Sequence, residues 1–337
     1  MDGNDNGPAR GARLGSWRGL IPLSAAALAA FAVAGGLDAV DRHQKAGARE
    51  RSAAAASAHE RVQLKKKRAA EPKYVVGVRR TGSALVVRDA RTGRDVGLPV
   101  AAPSGATFQR VASAGEGTYV VASATRRAVT FSRLKLDSKG RPRALTEIAG
   151  TSVPGRSTPW SDLAVSADGR RIAYVTYTGK AGRVDVVSST ERKTWTTRSA
   201  ARISSLSFAG DTLAFVWNPV AAPSRHQVRT LDTAAAPGDL RTSRPVLLLP
   251  PGGGPALLSR DGATIVAGIV GGASTTLRAY SVQTGKPTED LWKQKAEVAA
   301  LAPDPTGGHL LAATSDGTLY GARELPVRGA DLTDVAW

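Results

Sequence analysis

The chain has no cysteine. That absence removes disulfides, thiolate metal sites and cysteine nucleophiles together, so stability has to come from packing, and nothing in the sequence reports a redox compartment. Histidine is scarce as well, with four in 337 residues. His43 and His59 lie near the N-terminus, and His226 and His309 stand far apart, none with a second histidine or clustered carboxylates at ligand spacing. No transition-metal site is expected. Neither a G-x-S-x-G nucleophile elbow nor a G-x-x-x-x-G-K-[ST] phosphate loop occurs. The glycine-rich "PPGGGP" at 250 to 255 precedes a strand pattern instead of joining strand to helix, and reads as a loop. No cofactor is expected.

Apolar residues make up 42% of the chain, enough for a substantial core. Lys plus Arg outnumber Asp plus Glu by 46 to 28, a net charge of +18, of which +6 falls in 1–73 and +12 in 74–337. Such an excess suits an anionic lipid, an acidic envelope polymer or nucleic acid, or simply keeps the surface of an Arg-rich chain solvated. "KKKR" at 65 to 68 has no interleaved aromatics and reads as a solvated linker, so no nucleic-acid partner is expected.

Residues 20–37, "LIPLSAAALAAFAVAGGL", contain no charge. An eighteen-residue helix spans about 27 Å, close to the thickness of a hydrocarbon core, so this segment is expected to be a transmembrane helix or signal anchor. Ala32-Val33-Ala34 also fits a small-x-small cleavage pattern, which leaves a cleaved signal as the alternative. The boundaries expected are a short basic cytoplasmic tail over 1–19, the span over 20–37, an Ala-rich charged stalk over 38–73, and one domain over 74–337. Basic residues flank the span on both sides, so orientation rests on the short tail and signal-like layout, which favour a C-terminal domain outside the cytoplasm.

From Tyr74 the texture changes to short apolar runs separated by Gly, Asp, Pro and Ser. "WSDLAVSADGRRIAYVTY" (160 to 177), "ISSLSFAGDTLAFVWN" (203 to 218), "GPALLSRDGATIVAGI" (254 to 269) and "VAALAPDPTGGHLLAAT" (298 to 314) share one plan: strand, Gly/Asp turn, strand. A third strand and a polar turn follow, as in "RVDVVSSTERKTW" (183 to 195), and a fourth strand closes most units, as in "PVLLLP" (245 to 250). Equivalent positions Tyr119, Ile172, Leu213, Ile265 and Leu310 recur every 41 to 53 residues, the length of a propeller blade. The fold expected is an all-β, six-bladed β-propeller. Counting from Tyr74, the first blade lacks its first strand, and "LTDVAW" (332 to 337) matches the missing one. The C-terminal strand is therefore expected to pair with the strand at "YVVGV" and close the ring.

The run "LAVSADGRRIAYV" resembles the WD40-like repeats of the TolB type, with Ala167 in place of the usual proline. That resemblance implies an extracytoplasmic propeller that binds proteins or small ligands, without catalysis. A second likeness, "AYSVQTGKPTEDLW" (279 to 292) with its echo at Arg88 to Arg94, is to quinoprotein dehydrogenase repeats, where Trp and the Thr-Gly turn dock neighbouring blades. Ser281 replaces the usual aspartate, and only Trp195 and Trp292 fall at the expected place.

The recurrent Asp168, Asp211, Asp261 and Asp304 sit in Gly turns and read as turn-formers. In a propeller, the loops from second to third strands share a face with the connections between blades. That arrangement is expected to gather Arg79, Arg80, Arg126, Arg127, Lys180 and Arg225 as a basic rim around the channel mouth, a candidate ligand-binding site. The function expected is a membrane-anchored, non-catalytic scaffold for an unknown protein or anionic envelope ligand. The alternatives are a cell-envelope propeller enzyme, quinoprotein-like or a lyase, and a membrane-bound sensor.

Overall fold

The computed structural model describes residues 71–337. The expected span at 20–37 and the stalk up to residue 70 lie outside the described residues; among the described residues no helix is long and apolar enough to cross a membrane. The described chain folds as a six-bladed β-propeller.

Blade 1 runs outward from the channel as Leu332–Ala336, Tyr74–Arg79, Ala84–Asp89 and Val100–Ala101. Blade 2 is Thr107–Gly115, Thr118–Ala124, Ala128–Leu136 and Pro142–Glu147; blade 3 is Leu163–Val165, Ile172–Thr178, Ala181–Val187 and Arg192–Thr196. Blade 4 is Ala201–Ala209, Thr212–Pro219, Gln227–Asp232 and Arg244–Leu248; blade 5 is Gly253–Leu258, Thr264–Gly271, Ser274–Ser281 and Pro287–Gln294. Blade 6 is Val298–Pro303, Leu310–Thr314, Thr318–Tyr320 and Glu324–Arg328. Two short pieces add to this plan. Val153–Pro154 pairs with the third strand of blade 2, and Gly238–Asp239 lies parallel beside the outer strand of blade 3.

The second strands explain the core. Side chains alternate between the two faces of a strand, yet Ile172–Thr178 is buried at six consecutive positions. Ile172 and Tyr174 pack with Val120 and Phe131 of blade 2, while Ala173, Val175 and Tyr177 pack with Ile203 and Phe215 of blade 4. Each sheet is thus a wall shared by two cores, and the hydrophobic clusters lie between blades. This is why the second strands read as unbroken apolar runs. The tight hairpins follow from local chemistry: in "SADG", Gly169 takes φ +69°, Asp168 accepts from the Arg170 N–H at 3.1 Å, and the Ser166 hydroxyl donates to Asp168 at 2.6 Å. The bond from Ser166 leads the causes that hold the Asp168 carboxyl below its usual range.

The ring closes as expected. Leu332–Ala336 pairs antiparallel with Tyr74–Arg79, aligning Ala336 with Val76, Val335 with Gly77 and Asp334 with Val78, with a bulge before Arg79 meets Leu332. Trp337 is buried among Val75, Leu311, Leu325 and Val327, and its indole N–H donates to the Pro72 carbonyl at 3.2 Å. On the outer side of this joint Arg88 forks onto both oxygens of Asp331 at 2.8 Å each.

Candidate ligand-binding channel

The innermost strands of the six blades stand in a ring, each against the next, and enclose a cavity of about 740 Å³. At one level of this channel Asp334, Arg110, Asp162 and Ala300 occupy matching places. They lie opposite Val78, Ala122, Val175 and Ala313, each three residues past the matching second-strand position, Val75, Tyr119, Ile172 or Leu310. In blade 4 Ser204 lies opposite Val216 at this level, directly before a β-bulge that holds Ser205 and Leu206, and in blade 5 the level falls in a β-bulge that holds Gly254 and Pro255. Blades 1 to 3 therefore present Asp, Arg and Asp to the channel, and blades 4 to 6 present Ser, Pro and Ala.

These side chains also tie the blades together. Asp334 accepts from the Val111 N–H of blade 2 at 2.7 Å, and Asp162 accepts from the Leu206 N–H of blade 4 at 2.8 Å. Arg110 donates to the carbonyls of Ser161 and Pro159, at the start of blade 3, at 2.7 and 2.6 Å. The Ser207 hydroxyl takes the Leu258 N–H of blade 5 at 2.9 Å. Blade 4 turns its backbone to make its contact. Ser205, with φ 56°, is the one non-glycine residue with positive φ among the described residues, and its bulge holds the Leu206 N–H that meets Asp162. Burial pushes the Asp334 carboxyl up to about 7, against the pull of Arg110 and the Val111 N–H, with Asp162 adding to the rise.

At one mouth Trp160 is half exposed, and the Arg202 guanidinium lies over its ring at 4.5 Å from the centroid. His226 joins this wall, its Nδ1–H directed at the Gly253 carbonyl and its Nε2 taking the Asn218 amide at 2.9 Å. Toward the opposite mouth stand Arg260 and His309. Arg260 Nε is buried without a partner, and burial lowers the pKa of its guanidinium. His309 Nδ1 lies 3.3 Å from Asp304. Burial works to raise the Asp304 carboxyl, but the bonds from Thr306 and His309 outweigh it and hold the group below its usual range.

Five of the six basic residues expected to form a rim fall on loops between second and third strands, and Arg79 ends the second strand of blade 1 beside them, so all six lie toward one face. None of them lines the cavity. Arg126, Arg127, Lys180 and Arg225 are exposed; Arg80 donates to the Ala330 carbonyl and Arg79 lies 3.9 Å from Asp331. The equivalent loops of blades 5 and 6, at 272–273 and 315–317, hold no basic residue, so the set is an arc over blades 1 to 4. Among the recurrent aspartates, Asp168 and Asp261 both accept hydrogen bonds within their turns, and Asp304 does so from the position that Ser166 fills in blade 3. Asp211 instead reaches Arg171 of the neighbouring blade at 2.6 Å. Sequence reasoning passed over Arg110, Asp162, Asp334, Trp160 and Arg202. The signal was present in part: "SDLAVS" and "LTDVAW" place Asp162 and Asp334 at the same step of the repeat.

No protein-family model matches this sequence, and no curated protein matches it. Among solved structures, TolB from Acinetobacter baumannii is similar with a TM-score of 0.54 at 15% identity, over 78% of this chain and 65% of that one. This chain thus spans about two thirds of that structure's length. A structure of a nidogen/laminin complex is similar with a TM-score of 0.53 at 9% identity, over 78% of this chain and 97% of that one. At these identities the likeness shows the fold, and it places TolB among the propellers that share it.

Proposed function

We propose that this chain is a binding module without catalytic activity: a propeller held at the membrane by residues 20–37, outside the cytoplasm, whose channel and basic face take a protein or an anionic envelope ligand. The observation that carries the reading is the channel itself. Its charged side chains are fixed in place by main-chain groups of the next blade, so a ligand meets a preorganised surface and the ordering cost falls on the fold. The structure of a nidogen/laminin complex contains a chain of this fold, and that supports a protein partner here.

Two experiments test the reading. Protease added to intact cells should degrade the propeller; protection until the cells are opened would overturn the external placement. A photo-crosslinker placed at the exposed channel residue Thr333 should give a discrete adduct in cells, and one at Glu289 on the outer strand of blade 5 should not. Adducts of the same kind from both positions would overturn the channel as the binding surface.

A further inference from the structure

The face that carries the second-to-third loops and the connections between blades is electrically lopsided. Over blades 2 to 4 it exposes Arg126, Arg127, Arg156, Lys180, Arg202 and Arg225, and none of the six makes an ion pair among the described residues. The segments that hold them, 125–127, 155–161, 179–180, 197–202 and 220–226, contain no aspartate or glutamate. On the remaining sector the same face carries Glu297, Asp316 and Asp331 beside Lys295, Arg79 and Arg80, so its charge is mixed.

Within the cationic sector stands Trp160, 51% exposed, in the connection that leads into blade 3. Arg202 caps one side of its ring, and both side chains line the channel mouth. An indole left half in water, with a cation held on it and unpaired cations on the loops of the same face, suits a ligand that brings both a ring face and negative charge. A ring-free acidic peptide would answer the arginines and leave the indole uncovered. Single-stranded nucleic acid would stack on a row of aromatics, and this sector offers one.

Resting on the reading of the propeller as an external binding module, we propose that this sector binds an acidic polysaccharide, with one sugar ring seated on Trp160. The negative groups of that ring and its neighbours meet Arg202 and the loop cations of blades 2 to 4. The apolar C–H face of the sugar covers the indole, while charge repeated along the chain matches cations repeated from blade to blade.

The test uses the full-length protein in detergent, titrated with oligogalacturonate and followed by tryptophan fluorescence and by calorimetry. Binding that weakens with salt is expected, with no binding of a maltooligosaccharide of equal length. Trp160→Ala should remove the fluorescence change and weaken binding about tenfold or more, and Arg202→Gln should weaken it comparably. Both side chains are exposed, so both variants should melt with the parent. The double variant Arg126→Gln/Arg127→Gln should flatten the salt dependence. Unchanged affinity in Trp160→Ala, or equal binding of the neutral oligosaccharide, would overturn the proposal. Tighter binding of polyglutamate would assign the face to acidic peptides, and tighter binding of oligothymidylate to nucleic acid; either overturns it. The titration is independent of location: binding by a propeller that proves to lie inside the cell would leave this site standing while the external placement falls.

Discussion

Trp337 is the side chain on which ring closure can be tested most sharply. It is 1% exposed, packs between blades 6 and 1 against Val75, Leu311, Leu325 and Val327, and donates its indole N–H to Pro72. Replacing it with alanine removes a large buried ring and leaves a cavity at the joint, a change that costs about 3–5 kcal/mol. For a domain of this size each kcal/mol lowers the melting temperature by roughly 2–4 °C, so Trp337→Ala should melt about 6–20 °C below the parent. Gly321 supplies an independent check, because a methyl group there would meet the indole at 2.2 Å. Gly321→Ala alone should cost about 1–3 kcal/mol by overpacking. Combined with Trp337→Ala the added methyl enters vacated space, so the two changes should be non-additive by about 1 kcal/mol or more. Urea unfolding of the four proteins measures the cycle. A Trp337→Ala variant that melts within about 2 °C of the parent, or strict additivity, would refute the indole's role in closing the ring.

Two further predictions concern the channel. Burial raises the Asp334 carboxyl from 3.8 to about 7 in the folded protein, so between those values the fold holds a proton that the unfolded chain has lost. Stability from this group is therefore greatest at low pH and falls as pH rises toward 7, with a slope of at most about 1.4 kcal/mol per pH unit. Asp334→Asn keeps an oxygen for the Val111 N–H and should remove this slope. Stability curves of parent and variant that stay parallel from pH 4 to 8 would contradict the assignment. Ser205 has φ 56°, which glycine adopts freely and a β-branched residue resists. Ser205→Gly should leave stability unchanged or raise it by up to about 1 kcal/mol, whereas Ser205→Val should lower it by more than about 1 kcal/mol, read by denaturant midpoint.

The ring and its closure were legible because both rest on repetition. Continuous apolar runs such as "RIAYVTY" mark strands buried on two faces, and "LTDVAW" matches the first strands of other blades closely enough to be assigned to blade 1. The short additions, Val153–Pro154 and Gly238–Asp239, gave no signal, since two residues cannot display a period. Topology puts the basic residues toward one face of the ring, on or beside the loops between second and third strands. None of them lines the channel, because a loop between second and third strands lies one strand further out than the wall.

The channel residues were hidden for a different reason. A blade's two faces are committed to its neighbours, so substitution there is restricted to apolar side chains of fitting size. The positions left free to differ are those where the repeat faces the axis or enters a connection. Arg110 stands where Asp162 and Asp334 stand, yet its blade has the loosest version of the motif, and Trp160 lies ahead of its strand, in the connection. A repeat search rewards similarity between blades and passes over such differences. In a closed ring of equivalent sheets the differences are what can distinguish one direction from another. Here Asp334, Arg110 and Asp162, followed by the left-handed Ser205, mark the same side of the channel as the Trp160–Arg202 pair. Exchanging Arg110 for the serine of blade 4 would remove the donor to Pro159 and Ser161, loosen the segment that bears Trp160, and weaken any ligand seated on that indole more than it lowers the melting temperature.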